Sequence, residues 1–279
     1  MKDGNFFSIG DLKIHYAESP KNGPTIIMLH GGGGTWESFL TVTPTLEKRW
    51  HLIALDFRGQ GQSERTSDYR FETYAQDVIT FIQSRFGQAV TIWGQSLGAN
   101  IAIQVAATQP QLVSALVLEE PAVDFSEIDV ARSFLELMRN LAASGKSYEQ
   151  IRDEIANIPV PIPGQDQPAR LGELRGEEYT SFTAKCIHAL DPLVFDFILD
   201  GRAFENYNIE NTFGLVSCPT LFLQGNPLLM GMTDEVAKYG VSLIPDCKHV
   251  YVEDAGHNLH RTQPDTVIKV VEEFLASMI

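Results

Sequence analysis

The chain has 279 residues, 44% of them hydrophobic, enough to bury a substantial core as one large α/β domain or as a core with an insertion; this excludes a disordered protein. Its formal net charge of −15, from 21 basic and 36 acidic residues, argues against nucleic acid and anionic membrane surfaces as partners and is read as a solubility feature. No apolar run is long enough to span a bilayer, Met1 to Ile14 holds no apolar leader core, and Cys186, Cys218 and Cys247 form no C-x-x-C pair, so a cytoplasmic, membrane-free protein with reduced thiols is expected.

Taken in chain order, short strands at Phe6 to Ser8 and Leu12 to Tyr16 give an antiparallel start. Strands at Thr25 to His30, His51 to Asp56, Val90 to Trp93 and Ala115 to Leu118 then alternate with helices near Glu37 to Lys48, Phe71 to Arg85 and Ser96 to Thr108. That alternation is the signature of a mostly parallel sheet with crossover helices. In the second helix Tyr74, Val78, Phe81, Ile82 and Arg85 recur at helical spacing, which gives it one face for the sheet.

After Pro121 the pattern turns helical, from about Ser126 to Asn211, with Val130, Phe134, Leu137, Met138 and Leu141 on one face. A proline-rich break, Pro159 to Gly164, interrupts it. Strands return at Thr220 to Gln224 and His249 to Val252, and an amphipathic helix carrying Val267, Val270, Val271, Phe274 and Met278 closes the chain. Residues 1–124 and 212–279 are therefore expected to form the core, with 125–211 as a helical insertion; nothing in the sequence sets an oligomeric state.

The stretch Gly94-Gln95-Ser96-Leu97-Gly98 lies between a strand and a helix. A serine on such a sharp turn needs flanking residues without side chains, and Gly94 and Gly98 supply them. Gly98, Ala102 and Ala106 give the helix a small-residue face for close packing. A bare G-x-S-x-G carries little information, but its context makes Ser96 a candidate nucleophile.

Two further segments complete a chemical set. His30 is followed by four glycines, Gly31 to Gly34, directly after a strand, so backbone N–H groups are free to turn toward a developing negative oxygen. Leu97, after the serine, and Gly32 are the expected oxyanion donors; no Gly-Lys-Ser/Thr follows that would make the loop a phosphate cradle. Near the C-terminus, Asp254-Ala255-Gly256-His257 follows the last strand, and a serine hydroxyl needs a base of imidazole-like pKa. His257 is the leading base, His260 a secondary rival, and His30 a structural partner within its own loop.

Together these residues make the whole chain resemble the α/β-hydrolase superfamily. The resemblance rests on His30-Gly31 after the third strand, Asp56-Phe57-Arg58-Gly59-Gln60-Gly61-Gln62-Ser63 after the fourth, Ser96 after the fifth and Gly256-His257 after the eighth. It implies a mostly parallel eight-stranded sheet flanked by helices, with a helical cap after the sixth strand. Members commonly place the third triad residue, an Asp, just after the seventh strand, where this chain reads Gly225-Asn226-Pro227-Leu228. Some branches, among them certain haloalkane dehalogenases and zearalenone-degrading lactonases, place it after the sixth strand instead, where this chain reads Leu118-Glu119-Glu120-Pro121. Glu119 is the expected acid, ahead of Glu120, Asp124 and Asp234; Asp234 is better explained as the start of a helix.

The resemblance implies a serine hydrolase acting through an acyl-enzyme on an ester or lactone of a small, largely apolar molecule, with no metal or organic cofactor. Phe125 and Met138 are candidate substrate-binding residues. A carbon–carbon bond hydrolase of ring-cleavage products and a non-catalytic small-molecule receptor are the alternatives. A serine in place of a nucleophilic aspartate argues against dehalogenase or epoxide hydrolase chemistry.

Overall fold

The computed structural model describes residues 1–125, 127–160 and 167–278. Ser126, residues 161–164 of the proline-rich break and the side chain of Val130 lie outside the described residues. The chain opens with strands β1 (Lys2–Ile9), β2 (Leu12–Glu18) and β3 (Thr25–Leu29), then a 3-10 turn over Trp36–Thr41 and helix α1 (Thr43–Leu46). Next come β4 (His51–Leu55), α2 (Phe71–Arg85), β5 (Val90–Gln95), α3 (Leu97–Thr108) and β6 (Val113–Glu119). An inserted segment follows: α4 (Glu127–Ala143), α5 (Tyr148–Ala156), a small ribbon of β7 (Pro159–Val160) and β8 (Ala169–Arg170), α6 (Leu171–Ala189), α7 (Leu193–Leu199) and α8 (Ile209–Gly214). The chain ends with β9 (Thr220–Gly225), α9 (Asp234–Leu243), β10 (Cys247–Val252), α10 (Leu259–Thr262) and α11 (Pro264–Ala276).

Eight strands make one sheet in the order β1-β2-β4-β3-β5-β6-β9-β10. The pairs β1/β2 and β2/β4 are antiparallel and the rest parallel, as the alternating pattern predicts. Because strand side chains alternate, both faces of the sheet are apolar. Ile27, Leu29, Leu116 and Leu118 enter one buried cluster, and Ile26, Met28, Ala115 and Val117 the other. This parity decides the fate of the two glutamates at the end of β6.

One predicted helix is not continuous. The stretch from Glu37 to Lys48 divides into the 3-10 turn and α1, with Pro44 in the first turn of α1. Proline lacks the N–H that would continue the ladder and its ring crowds the preceding turn, so the helix restarts there.

The segment after β4 is a structural knot. The Asp56 carboxylate accepts the Trp36 N–H (2.7 Å) and the Gln62 N–H (3.0 Å), and pairs with His15 Nδ1 (2.8 Å). Arg58 forms a buried two-pronged pair with Asp77. Burial alone would lower the His15 pKa, but the hydrogen bond and charge of Asp56, joined by Asp3, outweigh it and raise the value above the ordinary 6.5. A raised folded-state value stabilises the fold fully below the unfolded pKa, and the gain is lost as pH climbs through the folded value. The stability gap between the native chain and a His15→Asn variant should therefore narrow as pH rises past 6.5, measured by urea melts across pH. A gap that widens with pH would contradict the assignment.

The inserted helices lie over the loops at the carboxyl ends of β3 and β4. Asp191 N–H donates to Gly59 O (2.8 Å), the Tyr69 hydroxyl donates to Asp191 Oδ2 (2.7 Å), and Lys185 pairs with Glu37 (2.6 Å). The three cysteines are free, and burial pushes the thiols of Cys186 and Cys247 up to about 12. No helix among the described residues is long and apolar enough to cross a membrane.

Candidate active site

Ser96 stands between β5 and α3 with φ 51° and ψ −116°, a backbone conformation that L-residues rarely adopt. The flanking glycines make the turn possible: a methyl at Gly94 would sit 2.2 Å from Gly98 O, and one at Gly98 would sit 2.1 Å from Leu29 O. These are backbone atoms that cannot step aside. Gly98→Ala should accordingly cost roughly 1–3 kcal/mol through overpacking, read as a lower urea midpoint with an unchanged slope.

The glycine loop after β3 lies against this turn. A methyl on Gly31 would be 3.4 Å from Ser96 Cβ, and one on Gly32 would be 3.8 Å from Leu97 Cδ2. Of the loop's N–H groups, that of Gly33 donates to Gln60 Oε1 (2.7 Å) and that of Gly34 to Gly31 O (3.0 Å). Among the described residues, the N–H groups of Gly32 and Leu97 have no protein acceptor, which leaves both available beside the serine. His30 is buried, with Nδ1 donating to Gly31 O (2.7 Å) and Nε2 accepting from Phe57 N–H (3.1 Å); burial lowers its pKa. It braces the loop from behind.

In the pairing of β5 with β6, Gln95 is opposite Glu119, so Ser96 and Glu120 are the next residues along their two strands. Glu120 also has φ 51°. Its carboxylate accepts the N–H groups of Gly225 and Met232, each at 2.7 Å, and pairs with His257 Nδ1 at 3.3 Å. The two backbone donors come from the end of β9 and the loop after it, the place where the superfamily resemblance leads one to look for the acid itself. Here that loop holds a carboxylate delivered from β6.

Glu119, the expected acid, is not the one on His257. Residue 119 has the same parity as Ala115 and Val117 and points to the opposite sheet face, where its carboxylate meets His260 Nδ1 at 2.8 Å. Glu120 escapes this alternation because its positive φ turns the chain out of the strand. Asp234, the last alternative, accepts from Gln224 Nε2 (2.9 Å) at the start of α9, behind the helix-capping Thr233.

His257 is anchored by its own backbone, since Gln95 Nε2 donates to His257 O at 3.2 Å. Its side chain is 42% exposed, whereas that of Glu120 is 2% exposed. The imidazole thus faces solvent and its carboxylate partner does not. Among the described residues Ser96 Oγ has no hydrogen-bond partner; catalytic hydrogen bonds of this kind are often long until substrate arrives.

Met138 is 2% exposed within the core, and Phe125 stacks face to face on Phe204 with centroids 4.0 Å apart. Phe125 also lines a groove of about 900 Å³ with Tyr207, Val236 and Tyr239. Besides Leu97, apolar side chains of α7 reach the glycine loop, and the sequence does not single them out. A methyl on Gly33 would be 2.9 Å from Phe195 Cζ, and one on Gly32 would be 3.8 Å from Ile198 Cδ1. The only sequence signal for them was a short apolar helix, Leu193 to Leu199, shortly after Pro192.

A sheet of this order, a strained serine between strand and helix, and an imidazole after the last strand define a fold class. The chain belongs to the alpha/beta hydrolase fold family, whose model matches residues 24–264, and it is a hydrolase of that fold. A serine hydrolase-like protein of Danio rerio is 32% identical over 288 residues, covering 92% of this chain and 82% of the relative. Among solved structures, the enol-lactonase of Burkholderia xenovorans superposes with a TM-score of 0.77 at 16% identity, covering 98% of this chain and 100% of the other. A thermophilic esterase of Thermogutta terrifontis does so with a TM-score of 0.74 at 20% identity, covering 96% and 94%.

Proposed function

We propose that this hydrolase cleaves an ester or lactone bond of a small to medium, largely apolar molecule through an acyl-enzyme on Ser96. The observation that carries the reading is the Glu120 carboxylate, fixed by two backbone donors and set against His257 Nδ1 beside the strained serine. In this reading His257 takes the Ser96 proton as Oγ attacks the carbonyl carbon. The N–H groups of Gly32 and Leu97 hold the resulting oxyanion. Collapse of the tetrahedral species expels the alcohol oxygen, which receives the proton from His257. Water, deprotonated by the same imidazole, then adds to the acyl-enzyme and releases the acid, returning the proton to Ser96. Glu120 holds the imidazole in the Nδ1–H tautomer and stabilises its cation throughout. Every proton moves between protein, substrate and water.

Residues 125–211 act as a cap over a core of 1–124 and 212–279, with Phe195 and Ile198 as the apolar wall nearest the oxyanion loop. The similarity in fold to an enol-lactonase and an esterase supports this substrate class. Titration with a fluorophosphonate, followed by peptide mapping, tests the reading. Stoichiometric labelling at Ser96, with turnover of aryl esters or simple lactones, is the expected result. An unlabelled Ser96 would overturn it in favour of a ligand-binding protein without turnover.

A further inference from the structure

A fully buried carboxylate–imidazole pair that the proposed mechanism does not use joins the end of β6 to the segment after β10. Glu119 and His260 are both 0% exposed, and each Glu119 oxygen lies within 2.9 Å of His260 Nδ1. Glu119 Oε1 also accepts the His260 backbone N–H at 3.2 Å. The ring is stacked on Phe39 (4.7 Å between centroids, 18° between planes) and meets Trp93 edge-on at 6.2 Å. His260 Nε2 is buried with no hydrogen-bond partner among the described residues. The Nδ1–H tautomer therefore satisfies the carboxylate and leaves a lone pair, not a second N–H, toward the apolar rings.

Such a pair is an expensive way to fill a core. Burying a carboxylate and an imidazole with one ring nitrogen unsatisfied is no better for stability than well-packed apolar side chains of the same volume. Its position suggests a different use. The Glu119 backbone carbonyl accepts the Ser96 N–H at 2.8 Å, while the next residue, Glu120, holds His257. The side chain of Glu119 grips the chain again three residues beyond that histidine. Thr41, in the turn after the glycine loop, closes the ring of contacts by donating its hydroxyl to His260 O at 2.7 Å. The Ser96 turn and the His257–His260 segment are thus tied to one dipeptide at the end of β6, and the turn after the glycine loop is tied to His260.

Resting on the serine hydrolase reading above, we propose that Glu119 and His260 are positioning residues: a buried clamp that registers the His257 segment against the Ser96 turn without touching substrate. A base displaced by about 1 Å costs on the order of 10²-fold in rate, which sets the effect to look for.

The experiment compares the native chain with Glu119→Gln, His260→Leu, His260→Asn and the double variant Glu119→Gln/His260→Leu. Rates of Ser96 labelling by a fluorophosphonate, and kcat and KM on an aryl ester, are measured per folded molecule after thermal melts. The clamp predicts a fall of about 10²-fold in labelling rate and kcat for Glu119→Gln and His260→Leu, with KM little changed. The double variant should be no worse than the poorer single, because both break one contact. His260→Asn, which restores a donor near the Nδ1 position, should recover much of the loss. Variants that melt lower but label at the native rate would overturn the inference and leave the pair a core element. Should Glu119→Gln not fold, His260→Asn and His260→Leu supply the same contrast. An unlabelled native Ser96 would instead remove the serine hydrolase reading and the clamp with it, so the two failures are distinct.

Discussion

Ser96→Ala is expected to abolish fluorophosphonate labelling and to lower kcat by about 10⁶-fold, the scale on which loss of an activated serine is felt. The fold should survive, because the serine hydroxyl caps no helix N–H and, among the described residues, has no hydrogen-bond partner to orphan. Ser96→Gly sharpens the test. At φ 51° and ψ −116° a residue with Cβ is strained by on the order of 1–3 kcal/mol, and glycine is not. Ser96→Gly should therefore be as inactive as Ser96→Ala but melt at a higher temperature, by up to about 1 kcal/mol of added stability. Equal melting of the two variants would mean that the strain relieved at the turn is no larger than the roughly 0.5–1 kcal/mol of chain entropy that glycine forfeits. Retained turnover of the aryl ester in Ser96→Ala would mean that another group attacks.

The architecture was legible because its signals are local. Periodicity placed each strand of the main sheet within a few residues, and glycine is required around Ser96 because a Cβ at Gly94 or Gly98 would fall 2.1 to 2.2 Å from a backbone oxygen. The break at Pro44 is equally local, since a proline within the Glu37 to Lys48 stretch lacks the N–H that one continuous helix needs. The choice of acid was a different matter. Glu119 and Glu120 are adjacent and identical, and one leaves the strand through a positive φ that no sequence pattern announces. Which sheet face carries His257 and which carries His260 depends on how the chain winds after β10. His260, the secondary candidate for the base, belongs to the other glutamate. Phe195 and Ile198 were hidden because contact between α7 and the glycine loop spans more than 160 residues of sequence.

The decisive comparison is between the two glutamates. Glu120→Gln preserves shape and one acceptor for the Gly225 or Met232 N–H, but removes the negative charge and can present an amide N–H toward His257 Nδ1, favouring the wrong tautomer. The imidazole then offers N–H rather than a lone pair to the serine, and the cation formed during attack loses its partner. A fall in kcat of about 10⁴-fold is expected on that account, against the roughly 10²-fold anticipated for Glu119→Gln. KM for the aryl ester should change little in either variant, since neither carboxylate lies where substrate would touch it. Glu120→Gln has a stability signature as well: one of its two backbone donors now faces an amide that cannot accept, a loss of about 1–3 kcal/mol for a buried N–H. If Glu119→Gln proved the more damaging by an order of magnitude, His260 would have to be the working base. That outcome would demand a rearrangement bringing a fully buried imidazole to the serine, because in this structure His260 is 0% exposed and His257 is the histidine open to solvent.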